Sequence, residues 1–293
     1  MIRLRLVDVY VLCASIWGTT WFAIRRCIGD GGYPTFTAAA LRFALATAVL
    51  GAIYAGGGGR PGPRGLRQWV ALTGCGALCA VGYALVYLGE ESIPGGLAAV
   101  IYGTFPLCTA LFAVIGRVEK VRARAIVGAL ISLAGIAAVF ADRLDVSHAQ
   151  GVAVLVVLAS VLVSALYTTL MKRAAAQVHP LASTGVFLGS AAVVLGAMGL
   201  AMDRRRLPWP PPAVPTLALV YLAIVGSVVV FVAYFYLLDR VSLMTVSTLV
   251  LVEPVIAVGV DAAFEHGVSL SGRSFVGMAI TGVGVAVSIL WRR

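Results

Sequence analysis

The chain has 293 residues, 61% of them hydrophobic and 12% charged, with a mean hydropathy of +1.00. Soluble domains carry about 25% charged residues, so this composition leaves no polar coat for water and the solvent must be lipid. The formal charge of +10 does not mark a nucleic-acid binder, because the cations fall in short gaps between apolar runs and do not gather on one face.

Runs long enough to cross about 30 Å of hydrocarbon at about 1.5 Å per residue predict helices over 6–24, 34–54, 69–89, 93–115 and 124–141. A second set is predicted over 150–171, 180–202, 214–237, 243–264 and 272–291. The first begins a few residues into the chain with no small-residue cleavage site after it, as expected of a retained span and not of a signal peptide. It carries Trp17 and Trp21 one turn apart, and the second carries Arg42. The third holds Cys75, then Cys79, Tyr83, Tyr87 and Glu91 as a four-spaced stripe, and the fourth holds Tyr102 and Pro106. Ser160, Ser164 and Thr168 share a face of the sixth, beside Tyr167; Tyr234 and Tyr236 lie in the eighth. In the ninth, Glu253, Ala257, Asp261 and Glu265 are spaced by four on one helix face. The breaks are rich in Gly and Pro, and no connection is long enough to be a soluble domain.

The chain repeats itself. Pro34 and Pro180 open spans, Pro106 and Pro254 sit inside spans, and Gly128, Ser132 and Gly135 return as Gly277, Thr281 and Gly284. The offsets are about half the chain, which divides it into 1–145 and 146–293 with five spans each. An odd number of spans turns the second copy upside down, so the expected fold is an all-α membrane protein of ten transmembrane helices in two inverted five-helix repeats around a central cavity. Of the 22 Lys and Arg, 14 fall on the side of the N-terminus and 7 on the other, with Arg42 inside a span. That bias places both termini in the cytoplasm; the Arg204–Arg206 cluster on the outer side runs against it.

Polar groups at membrane depth are costly and need a reason. Arg42 lies roughly 12 Å below the outer end of its span, at a depth between Glu253 and Asp261. It has two readings, a structural ion pair with the ninth span or an anchor for a substrate carboxylate. Glu253 either binds a proton or a substrate ammonium, or fixes helix packing. Pro106 and Pro254 each free a backbone carbonyl, tolerated in lipid where it faces protein or a wet cavity; the alternative is a packing kink. Trp17, Trp21, Tyr83 and Tyr102 line a pathway or pack, and Tyr167 and Ser164 add hydroxyls to it. Rings with occasional hydroxyls suit amphiphilic solutes. Tyr87 and Tyr236, near span ends, read as interfacial. The Gly-rich faces of spans five and ten read as scaffold.

Enzyme chemistry is not expected. No phosphate-binding GxxxxGK[ST] loop or HExxH is present, the five cysteines lack CxxC spacing, and His148, His179 and His266 fall in predicted loops. Cofactors and metals are accordingly not expected.

WGTTWFAIR in the first span, ALRFALA in the second and LVEPVIAVGVDAAFEHG in the ninth resemble EamA-type members of the drug/metabolite transporter superfamily. FPLCTALFAVIGRVEK followed by IVGALISLAGIAAVF resembles the end of a first EamA repeat, and IVGSVVVFVAYFYLLDRVSLMTVSTLVLVEP the matching part of a second. Within the superfamily, length and aromatic content look most like YddG-type amino-acid exporters, although their Trp-Pro in the fourth span stands here as Phe105-Pro106. The resemblance implies secondary export of amino acids, aromatic or neutral, or of similar small metabolites across a bacterial inner membrane by alternating access. The partners expected are a small-molecule substrate and the lipid bilayer, with no nucleic acid, and a monomer suffices because both repeats lie in one chain. A proton-coupled multidrug or cation extruder is the alternative within transport; it needs a carboxylate near the start of the first span, where Asp8 lies. A membrane enzyme or lipid-handling protein is the alternative of another class. The repeat also isolates what is not duplicated: Arg42 aligns with Leu188, and Glu253 with Phe105. These unpaired positions are the candidates for cargo choice.

Overall fold

Each predicted apolar run is helical in the computed structural model, which describes residues 5–29, 31–57, 61–90, 92, 95–139, 151–204, 207–264 and 272–290. The first three spans are α1 (Leu6–Ile28), α2 (Thr35–Gly56) and α3 (Gly65–Glu90). The fourth is broken into α4 (Gly95–Tyr102) and α5 (Phe105–Ile115), and the fifth is α6 (Ala123–Val139). The second half continues with α7 (Gly151–Ala174) and α8 (Pro180–Met202), then α9 (Ala213–Ala223), a π-helical segment (Ile224–Val229) and α10 (Val230–Arg240). It ends with α11 (Leu243–Ser247), α12 (Leu249–Phe264) and α13 (Gly272–Leu290). Among the described residues nine helical stretches are long and apolar enough to span a bilayer, and the shorter apolar α6 is the tenth. Side chains such as Val193 and Leu200 on α8 are 73% and 92% exposed, which only a lipid solvent makes inexpensive.

Besides the eighth span with its π-helical segment, two spans differ in detail from the continuous helices expected. Pro106 is not interior to its helix: α4 ends at Tyr102, and Pro106 falls in the first turn of α5, where a missing N–H costs no helix hydrogen bond. Pro254 does lie inside α12, and the ninth span is separately broken at Thr248. His148, His266, Glu91, Glu265, Arg205 and Arg206 lie outside the described residues, as do the side chains of Tyr87 and Asp261. His179 is the N-cap of α8, its ring accepting from Leu181 N at 3.2 Å.

The helices cluster into two compact units, each drawing on both halves of the chain. One comprises residues 1–80 and 170–240. There α2 and α8 pack along their lengths, with Phe43, Leu50, Phe187, Leu188 and Leu195 fully buried. Asp203, at the C-cap of α8, caps α2 in trans: its carboxylate accepts from Thr37 N at 2.7 Å, Thr37 Oγ1 at 2.6 Å and Phe36 N at 3.3 Å. Two of the donors left open at the α2 N-terminus are met in this way.

The other unit comprises residues 81–169 and 241–293. Its spine is the α6–α13 pair, where the duplicated small residues interleave. Ser132 Oγ donates to Thr281 O at 3.1 Å and Ser288 Oγ to Ala125 O at 3.3 Å. A Cβ on Gly277 would stand 2.7 Å from Gly135 O. Such contact explains the glycines: van der Waals packing in lipid rewards close backbones.

Candidate functional site

The eighth span is not a regular helix at its centre. Over Ile224–Val229 the ladder widens to i→i+5, with Val230 N bonding to Val225 O. Ser227 is fully buried, and its hydroxyl donates to Leu222 O at 2.9 Å. Gly226 admits a neighbour, since a Cβ there would lie 3.0 Å from Thr20 Cγ2 and 3.4 Å from Arg42 Nη2. The first repeat lacks this feature: Cys79 takes the position of Ser227 at the Pro106–Pro254 offset and lies in regular α3.

Arg42 fills the space so made. It is 3% exposed; its Nε donates to Ser227 Oγ at 2.8 Å and its Nη2 to Gly226 O at 2.6 Å. The guanidinium stands 5.2 Å from the Phe43 ring centroid, a weak cation–π contact. The described carboxylates of the same unit are engaged elsewhere: Asp8 with Arg5 N, Asp203 with α2, and Asp239 with Arg240. Within its unit Arg42 is therefore held by neutral oxygens and has no described counter-ion. Desolvating such an ion costs on the order of several kcal/mol, so the arrangement calls for a function.

Beside it stands a cluster of rings. Trp17 lies 5.5 Å from Phe231 and 5.0 Å from Tyr234 between centroids. Phe231 also meets Phe43 at 6.3 Å and Phe187 at 5.7 Å, and Phe187 meets Phe235 at 5.2 Å. Hydroxyls border the rings: Thr20 Oγ1 donates to Trp17 O at 2.6 Å, and Thr19 Oγ1 and Tyr221 OH are 2.6 Å apart. Trp17 is the middle residue of α1, and Gly226 and Ser227 are the middle residues of 213–240. The constellation thus lies midway along both of these apolar stretches. Trp21 lies one turn further along α1 and is half-buried.

The remaining candidates lie in the other unit. The Tyr102 hydroxyl shares a hydrogen bond with Ser160 Oγ, which donates to Gly82 O at 2.8 Å, tying α4 and α7 to α3. Ser164 and Thr168 are buried on the same α7 face, and a Cβ on Gly82 would lie 3.1 Å from Ser164 Oγ. Tyr83, Tyr167 and Glu253 are half-buried, and Pro254 is buried within α12. Trp17, Trp21 and Arg42 thus belong to one unit, while Tyr83, Tyr102, Pro106, Ser164, Tyr167, Glu253 and Pro254 belong to the other.

Sequence reading singled out Arg42 and Trp17 but passed over Gly226, Ser227, Phe231 and Phe187, which surround them. The available signal was a mid-span Gly-Ser pair one turn before an aromatic run, in the repeat opposite an unpaired arginine.

Comparison with known proteins assigns the whole architecture. The EamA-like transporter family model matches twice, over residues 6–141 and 151–290. Protein PagO of Salmonella typhimurium is 25% identical over 306 residues, covering 100% of this chain and 95% of that protein. The uncharacterized inner membrane transporter YedA of Escherichia coli K12 is 32% identical over 246 residues, covering 83% of this chain and 77% of YedA. A solved crystal structure superposes with a TM-score of 0.80 at 20% identity, covering 97% of this chain and 96% of its own, which shows a shared fold. Two family matches in tandem, one to each half of a ten-span helical chain, establish that it belongs to the EamA-like transporter family.

Proposed function

We propose that this protein is a secondary transporter of the bacterial inner membrane that exports amino acids, neutral or aromatic, or similar small amphipathic metabolites by alternating access. The observation that carries this reading is the mid-span wall of rings, Trp17, Phe231 and Tyr234, bordered by hydroxyls and a buried cation. Rings supply stacking area for an apolar side chain, and the polar groups orient the solute. Membership of a transporter family and similarity to YedA, an inner membrane transporter, support transport and the inner membrane. The likeness to YddG-type exporters and the cytoplasmic placement of both termini are part of the same proposal. No ATP-binding motif accompanies the spans, so the driving force is the substrate's own gradient or a proton taken by Glu253.

The cation-extruder reading is disfavoured by Asp8. That carboxylate is exposed in the first turn of α1 and accepts from Arg5 N at 3.2 Å, which makes it a helix cap and not a buried cation site. The test is uptake into proteoliposomes of radiolabelled amino acids, nucleosides and quaternary cations, with and without a pH gradient. Amino-acid uptake is expected. Uptake of quaternary cations with amino acids inert would overturn the substrate class.

A further inference from the structure

We infer that Arg42 is a carboxylate-binding group, so that the cargo is a monocarboxylate with an apolar side chain and its decarboxylated amine is rejected. This inference rests on the transport reading above and names the chemistry of its site.

A guanidinium carries five N–H donors. Two are used, on Ser227 Oγ and Gly226 O. The other three, both on Nη1 and one on Nη2, have no described protein acceptor. The sealed, unpartnered side-chain atoms among the described residues belong to Thr109, Thr184 and Arg124. Arg42 is 3% exposed, and its described acceptors engage only Nε and Nη2. The planar edge left free, Nη1 with Nη2, is the edge that meets both oxygens of a carboxylate in a bidentate pair.

Charge sets the rest of the ligand. The guanidinium brings one positive charge into lipid, and no described carboxylate in its unit neutralises it. The carboxylate of a bound solute offsets it locally; a phosphate ester brings more negative charge than one arginine meets. An amine lacking the carboxylate adds a second positive charge a few ångströms away, which at an effective dielectric near 20 lowers affinity by roughly 100-fold or more. The Trp17–Phe231–Tyr234 cluster of the same unit supplies surface for the apolar end. The π segment is fitted to this task. Its Gly-Ser pair holds Arg42 by Nε and one Nη2 donor only, which fixes the plane of the guanidinium and leaves its outer edge unoccupied.

The test uses the purified full-length protein in lipid nanodiscs and equilibrium binding of two matched series. One is phenylalanine, 3-phenylpropionate, phenylalaninamide and phenethylamine; the other is leucine, leucinamide and isoamylamine. The acids are expected to bind at least roughly 10- to 100-fold more tightly than the amide or amine of the same skeleton, the range of a charge-assisted hydrogen-bonded pair. Arg42→Gln is expected to erase that ratio. Arg42→Lys should retain part of it, because a point charge remains without the fork. Equal binding of acid and amide by the unaltered protein overturns the inference, and that measurement needs no variant to fold. An undiminished acid preference in Arg42→Gln also overturns it, as does absence of binding by every probe. Transport of the panel without acid preference would remove this inference alone. Acid-selective binding without transport of any solute would remove the transport reading and leave the carboxylate site standing.

Discussion

Ser227→Ala probes the hold on Arg42 most directly, because one hydroxyl serves two partners. Its oxygen accepts from Arg42 Nε at 2.8 Å, and its hydrogen goes to Leu222 O at 2.9 Å. The substitution changes shape little, so its cost is that of hydrogen bonds. The charge-assisted bond is worth about 1.5–3 kcal/mol and the neutral one about 1 kcal/mol, giving a loss of roughly 2.5–4 kcal/mol. In an Arg42→Leu background only the neutral bond remains to be lost, about 1 kcal/mol. The double-mutant cycle should then return a coupling of about 1.5–3 kcal/mol. Neutral interhelical bonds in membrane proteins average about 0.6 kcal/mol in such cycles, with a maximum of about 1.7 kcal/mol, so a coupling above about 2 kcal/mol marks the charged bond. The assay is reversible unfolding of the four proteins in mixed detergent–lipid micelles. A coupling at or below about 0.6 kcal/mol would refute the reading that Ser227 anchors a charged guanidinium.

Gly277→Ala puts a Cβ 2.7 Å from Gly135 O and 2.8 Å from Val139 N, both backbone atoms that cannot turn aside. It should destabilise the α6–α13 pair by about 1–3 kcal/mol, read by the same unfolding assay. Asp203→Ala strips α2 of its cap and should cost about 1–2 kcal/mol, while Asp203→Asn, which keeps an acceptor oxygen, should recover part of that in a melting experiment. Trp17→Ala removes ring contacts to Phe231 and Tyr234. It should raise KM for aromatic solutes roughly 3- to 10-fold in proteoliposome uptake, with small polar solutes little affected.

The ten spans were legible because hydropathy is a sum over about 20 residues, and local irregularities do not alter it. The duplication was legible because Pro34, Pro106 and the Gly128, Ser132 and Gly135 face recur about half a chain later, and in that alignment Arg42 stands opposite Leu188. The break between Tyr102 and Phe105 was not foreseen, since Pro106 reads alike as a mid-helix kink or as the first turn of a new helix. Arg42 announced itself as a charge in an apolar run, but its acceptors did not. Ser227 is one small hydroxyl among many in the spans, and Gly226 is one of 33 glycines.

Membership of the membrane, the number of spans and the oddness of Arg42 follow from composition and pattern, because the transfer of each side chain into lipid is a property of that side chain. The partners of Arg42 follow from which helices lie against α2, and that is a property of packing. Two of its donors are met by a π turn that local propensity does not favour, in a span more than 180 residues away along the chain. An ion in lipid takes whatever acceptors its neighbours bring within reach, so its chemistry became definite once α2 was seated against the π segment.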